Sequence, residues 1–94
     1  MIGGRGPNNI LVKKNGHNVE IDFSLLMSPL EKFIYENFED SENYLTDMYK
    51  RIHNIFLRNL LECLKKECAL FCEDTLFDID INKGNYKLTY QTKI

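Results

Sequence analysis

The chain has 94 residues, 44% of them hydrophobic and 28% charged, with 12 Lys plus Arg against 14 Asp plus Glu and a formal net charge of -2. This composition describes one domain with one modest core and excludes a wholly disordered chain. The charge balance excludes the global basic field on which nucleic-acid binders commonly rely. Charged residues interrupt every apolar stretch and the opening "MIGGRGPNN" lacks the apolar segment of a signal peptide, so the expected setting is cytoplasmic, with no membrane span.

In chain order, residues 1–9 carry three glycines and a proline and are expected as a flexible N-terminal arm, followed by a single α+β domain over 10–94. The segment "NILVKKNGHNVEIDF" places Asn15-Gly16, a dipeptide that tolerates positive φ, between two alternating runs. It predicts a β-hairpin with Val12 opposite Val19 and Ile10 opposite Ile21 on one face, and Leu11, Lys13 and Glu20 on the other.

The next segment, "SPLEKFIYENF", offers Ser28 as N-cap, Pro29 at the first helical position and Glu31 as the carboxylate of a capping box. Leu30, Phe33, Ile34 and Phe38 recur at helical spacing and form the expected inner stripe of a short helix that ends near Glu39-Asp40-Ser41. Asp40 or Ser41 can then cap a long helix running to about Cys72. Along it Asp47, Arg51, Asn54, Arg58, Glu62 and Lys65 step by three or four and mark the solvent stripe. The remaining surface, from Leu45 through Ile52, Phe56, Leu57 and Leu61 to Phe71, is more apolar than one buried face requires. It therefore leaves room for a homodimer packed through Leu57, Leu61 and Leu64.

"FDIDINKGNYKLTY" sets Asp78, Asp80 and Asn82 at alternate positions, as in the opening of a calcium loop. A calcium loop counted from Asp78 needs glycine at its sixth position and glutamate at its twelfth, where Lys83 and Thr89 stand. A two-residue turn at Lys83-Gly84 instead pairs Ile81 with Tyr86, Ile79 with Leu88, Phe77 with Tyr90, Asp80 with Lys87, Asp78 with Thr89 and Asp74 with Lys93. The second hairpin is the better reading, and the element order becomes ββααββ: two antiparallel hairpins packed on a short and a long helix.

No metal, cofactor or catalytic set is expected. Cys68 and Cys72 are one helical turn apart, but His53 lies ten positions before Cys63, about 15 Å along a helix, too far to complete a site. The three cysteines read as reduced packing residues. His17 at a hairpin tip and His53 in mid-helix have no nucleophile at catalytic spacing, so the chain is not expected to be an enzyme.

From Phe33 to Tyr49 there is no Lys or Arg, while Glu36, Glu39, Asp40, Glu42 and Asp47 alternate with Tyr35, Phe38, Tyr44 and Tyr49. Glu42 also suits the first turn of the long helix, which a solvated helix junction would explain. The functional expectation is a small non-catalytic protein-interaction module that docks on a basic partner through Tyr35, Glu36, Glu39, Asp40, Glu42, Tyr44 and Asp47. The chain is rich in Asn, Ile, Lys and Tyr and has no Trp, a bias common in AT-rich genomes. On composition alone, that suits a phage or mobile-element inhibitor of the anti-CRISPR or anti-restriction type. The alternative expectation is a nucleic-acid-binding or regulatory domain that contacts phosphate through Arg5, Lys13, Lys14 and His17 at the arm and first hairpin tip.

Overall fold

Four strands and two helices follow one another in the order β-β-α-α-β-β, in a computed structural model that describes residues 9–66 and 75–93. They are β1 (Leu11–Asn15), β2 (Asn18–Asp22), α1 (Ser24–Asn37), α2 (Ser41–Lys66), β3 (Asp78–Asn82) and β4 (Asn85–Gln91). The two hairpins join into one antiparallel sheet of order β1-β2-β4-β3, the seam being β2 against β4 with Ile21 opposite Leu88 and Val19 opposite Tyr90. Arg5 and the rest of residues 1–8, the extension of the long helix toward Phe71 and Cys72, Cys68, and the Asp74–Lys93 pair lie outside the described residues.

The second hairpin has the register that alternation dictates: Ile81 opposite Tyr86, Ile79 opposite Leu88, Asp80 opposite Lys87 and Asp78 opposite Thr89. Phe77 and Tyr90 continue the series with ring centroids 6.2 Å apart. The positive φ of the turn, 73°, falls on Gly84, where no Cβ resists it.

The first hairpin corrects the sequence reading. Its turn is Gly16-His17 rather than Asn15-Gly16, so Val12 lies opposite Ile21 and Lys14 opposite Val19. Only Gly16 has positive φ, 61°, which matches a turn with glycine at its first central position and leaves Asn15 in the strand. The change moves each pairing by two positions, so every residue keeps its face and only the partners change.

Val12, Val19, Ile21, Ile79, Ile81, Tyr86, Leu88 and Tyr90 share one sheet face, and the helices pack on its β3 and β4 part while Val12 of β1 stays 63% exposed. Phe23 joins them, its ring 5.5 Å from Tyr86 and 5.2 Å from Phe56 of α2. Among the described residues, Val19, Phe23, Leu45, Tyr86 and Leu88 are the buried apolar ones. The opposite face bears Lys13, Glu20, Thr89 and Asp78 in one row and Leu11, Asp22, Lys87 and Asp80 in the next, a surface that is polar apart from Leu11.

α1 begins four residues before the expected Ser28. The reason lies at the end of β2, where Phe23 N–H donates to the Tyr86 carbonyl (2.9 Å) and Tyr86 N–H donates to Ser24 Oγ (3.1 Å). Ser24 N–H in turn donates to Asp22 Oδ1 at 2.9 Å, so Asp22 serves the helix N-terminus that Ser28 was expected to serve. Pro29 then sits inside the helix, which forgoes the bond that residue 29 would donate to Leu25.

The Ser24 hydroxyl and amide, with Lys87 and Lys13 further off, hold the Asp22 carboxyl below its ordinary value of 3.8. A carboxylate whose folded pKa is depressed contributes fully above the unfolded value and loses that contribution as pH falls below it. Asp22→Ala should therefore lower stability by about 1 kcal/mol at pH 7, with a difference that shrinks below pH 3.8. Urea unfolding at both pH values measures it.

Candidate functional site

The segment from Phe33 to Tyr49 folds into the corner where α1 turns into α2. Asp40 precedes the first residue of α2, its main-chain carbonyl accepts from Tyr44 N–H (3.2 Å), and its carboxylate accepts from Asn43 Nδ2 at 2.8 and 3.0 Å. Glu42 lies in the first turn, where the helix dipole favours a carboxylate.

Phe33 and Phe38, expected on an inner stripe with Leu30, do not point inward. Phe33 is 55% exposed and Phe38 40%, and Leu30 is also exposed. The buried residue of α1 is Glu31, 7% exposed, flanked by the half-buried Met27 and Ile34. Successive helical residues diverge by about 100°, so turning Glu31 inward swings Leu30 and Phe33 off the core face. With Tyr44, 57% exposed, the two phenylalanines form a line of rings: Phe33 to Phe38 is 6.3 Å between centroids and Phe38 to Tyr44 is 5.0 Å.

Glu31 stays inside because two other elements satisfy it. Gly84 N–H donates to both carboxylate oxygens, at 3.1 and 3.2 Å, and the Tyr49 hydroxyl donates to Oε1. The carboxylate thus ties α1 to α2 and to the β3–β4 turn. Neighbouring Tyr86 is fully buried, with its ring 5.9 Å from that of Tyr49 and its hydroxyl making no well-formed hydrogen bond.

The tether also brings a cation to the corner. Lys83, next to the tethered Gly84, holds its Nζ 4.9 Å above the Tyr35 ring centroid. Tyr35, Glu42, Leu45, Thr46, Tyr49 and Lys83 line a recess of about 210 Å³. On another side of the corner Asp40, Asn43, Tyr44 and Asp47 line a shallower recess of about 330 Å³. Of the seven residues expected to dock a partner, Tyr35 and Glu42 line the first recess, Asp40, Tyr44 and Asp47 line the second, and Glu36 and Glu39 line neither.

Charges from outside the run reduce its acidity. Asp47 pairs with Arg51 at 2.7 Å and Glu36 with Lys32 at 4.0 Å, one turn away in each case. Among the described residues, Glu39, Asp40 and Glu42 form no ion pair within 4.0 Å.

The basic set of the alternative reading is divided. Lys13 and Lys14 are consecutive in β1 and point to opposite faces, Lys13 opposite Glu20 and Lys14 opposite Val19. The His17 carbonyl is engaged by Thr92 N–H at 2.8 Å. His53 lines a recess of about 400 Å³ between α2 and β3, together with Thr46, Tyr49, Lys50, Asn54 and Ile81. Among the described residues no carboxylate stands in that lining. Among the described residues no three His, Cys, Asp or Glu gather to hold a metal ion, and no helix is long and apolar enough to cross a membrane. Cys63 is exposed, as are Leu57 and Leu61.

Tyr49→Phe leaves the buried carboxylate one donor short and should cost about 1.5–3 kcal/mol in urea unfolding, whereas Tyr86→Phe should change stability by less than about 0.5 kcal/mol. Desolvation, then the hydrogen bond to Glu31, raises the Tyr49 phenol above its ordinary 10.0. Desolvation, then the Glu31 charge, pushes Tyr86 up to about 12. The unfolded chain loses these protons first, so stability should hold below pH 10 and fall as pH rises toward 12, less steeply in Tyr86→Phe.

No protein-family model, curated protein or solved structure matches the chain.

Proposed function

We propose that this chain is a small non-catalytic protein-interaction module that acts inside the cell and docks on a basic partner through the corner between α1 and α2. The observation that carries the proposal is the exposed line of rings Phe33, Phe38 and Tyr44 beside Glu39 and Asp40, carboxylates without an ion pair among the described residues. Aromatic rings supply rigid contact area at low entropic cost, and unpaired carboxylates at the rim steer and orient a positively charged surface. A groove that holds nucleic acid is a surface of that kind, and a module seated on it would act as an inhibitor, the class to which the composition also points. Two copies packed through the exposed Leu57 and Leu61 would leave the corner open, since Leu57 is about 20 Å along α2 from Tyr44.

The test begins with affinity capture by the tagged chain from lysate of its native host at low and high salt, with protein and nucleic acid both identified in the eluate. Against the captured protein, Glu39→Lys with Asp40→Lys should weaken binding at least tenfold and flatten its salt dependence. Tyr44→Ala should weaken it about fivefold or more, and Lys13→Glu with Lys14→Glu should leave it unchanged. Capture of nucleic acid that is lost on Lys13→Glu with Lys14→Glu, and unaffected by the Glu39 and Asp40 changes, would overturn the proposal in favour of the hairpin tip.

A further inference from the structure

The recess beside Lys83 shows what kind of group the corner accepts, because the chain already sets a cation of its own in its wall, over the Tyr35 ring. Lys83 belongs to a turn whose neighbouring amide is held by the buried Glu31, so its side chain starts from a tethered point and reaches over the Tyr35 ring. The walls combine a π-face from Tyr35, a carboxylate from Glu42 and the hydroxyl-bearing side chains of Thr46 and Tyr49. A cation above an aromatic face gains from the ring quadrupole, and a nearby carboxylate adds to the attraction. The Tyr35 phenol first, and the Glu42 and Glu31 charges after it, favour the protonated form of Lys83. Nothing covers the ammonium on its outer side, since Lys83 is exposed.

We propose that the recess formed by Tyr35, Glu42, Thr46 and Tyr49 is a subsite for a cationic side chain of the partner, and that Lys83 is its resident competitor. The proposal rests on the reading of the corner as a docking surface and adds the chemistry of one contact. Arginine is the fitting occupant, because a planar guanidinium can stack on Tyr35 and still direct N–H groups to Glu42. An exposed lysine held by one ring and one carboxylate is displaced at small cost. The competition weakens every occupant of the recess by the same factor, and a partner that also covers Phe38 and Tyr44 offsets that loss with its other contacts.

The experiment is a titration of the full, isotope-labelled chain with an octa-arginine peptide at low salt, followed by amide chemical shifts. Lys83→Ser should bind the peptide about two- to fivefold more tightly than the parent, with shifts at Glu42 and Thr46. Lys32→Ser removes the same charge from the same corner without vacating the recess, and should give a smaller gain. Tyr35→Leu keeps the bulk of the ring and should abolish the gain from Lys83→Ser in the double variant, while the spectrum of each variant confirms its fold. Equal tightening by Lys83→Ser and Lys32→Ser would reduce the effect to net charge and overturn the subsite. Shifts confined to Asp40, Asn43 and Tyr44, indifferent to Lys83, would also overturn it while leaving the docking surface in place. Absence of peptide binding in every variant would overturn the subsite, and the capture experiment then decides the docking reading separately.

Discussion

A single buried carboxylate organises this molecule. Glu31 is 7% exposed, and an ion taken out of water at that depth is tolerated only when donors replace the lost hydration. Its donors come from two other elements, the hydroxyl of Tyr49 on α2 and the amide of Gly84 at the β3–β4 turn. Meeting that requirement determines how α1 rests on the sheet. The helix turns Glu31 to the core, and the apolar residues beside it, Leu30 and Phe33, rotate out toward solvent.

The exposed corner between α1 and α2 follows from that geometry. Had α1 buried Leu30 and Phe33, the line of rings from Phe33 through Phe38 to Tyr44 would lose its first member to the core. Instead, among the described residues, Leu30, Phe33, Phe38 and Tyr44 stay 40% or more exposed. The same carboxylate brings Lys83 to Tyr35, so the corner contains a local cation that the run from Phe33 to Tyr49 lacks. The acidic rim is thereby reduced to the carboxylates that neither Lys32, Arg51 nor Lys83 approaches closely.

The two hairpins show which local signals can be read without a structure. In the second, alternation on both faces and the glycine at position 84 agree on one register, and that register is found. In the first, Asn15-Gly16 and Gly16-His17 both put glycine in the turn. The alternation tolerates either because they differ by an even number of residues, and the seam to β4 accompanies the second of them. The start of α1 was hidden for a related reason: Ser28, Pro29 and Glu31 have the spacing of a cap, but Asp22 and Ser24 are already anchored to β4 and begin the helix sooner.

What the chain determined by itself is what neighbouring residues can decide together. The order ββααββ, the face of every strand residue and the acidic, aromatic content of the corner follow from period-two alternation, helical spacing and an uninterrupted run between two helices. Only the tertiary structure decided which side of α1 faces the core, which rings face solvent and that Lys83 lies over Tyr35. Those outcomes depend on a carboxylate meeting an amide 53 positions away, a contact that satisfies a buried charge and leaves no trace in local spacing.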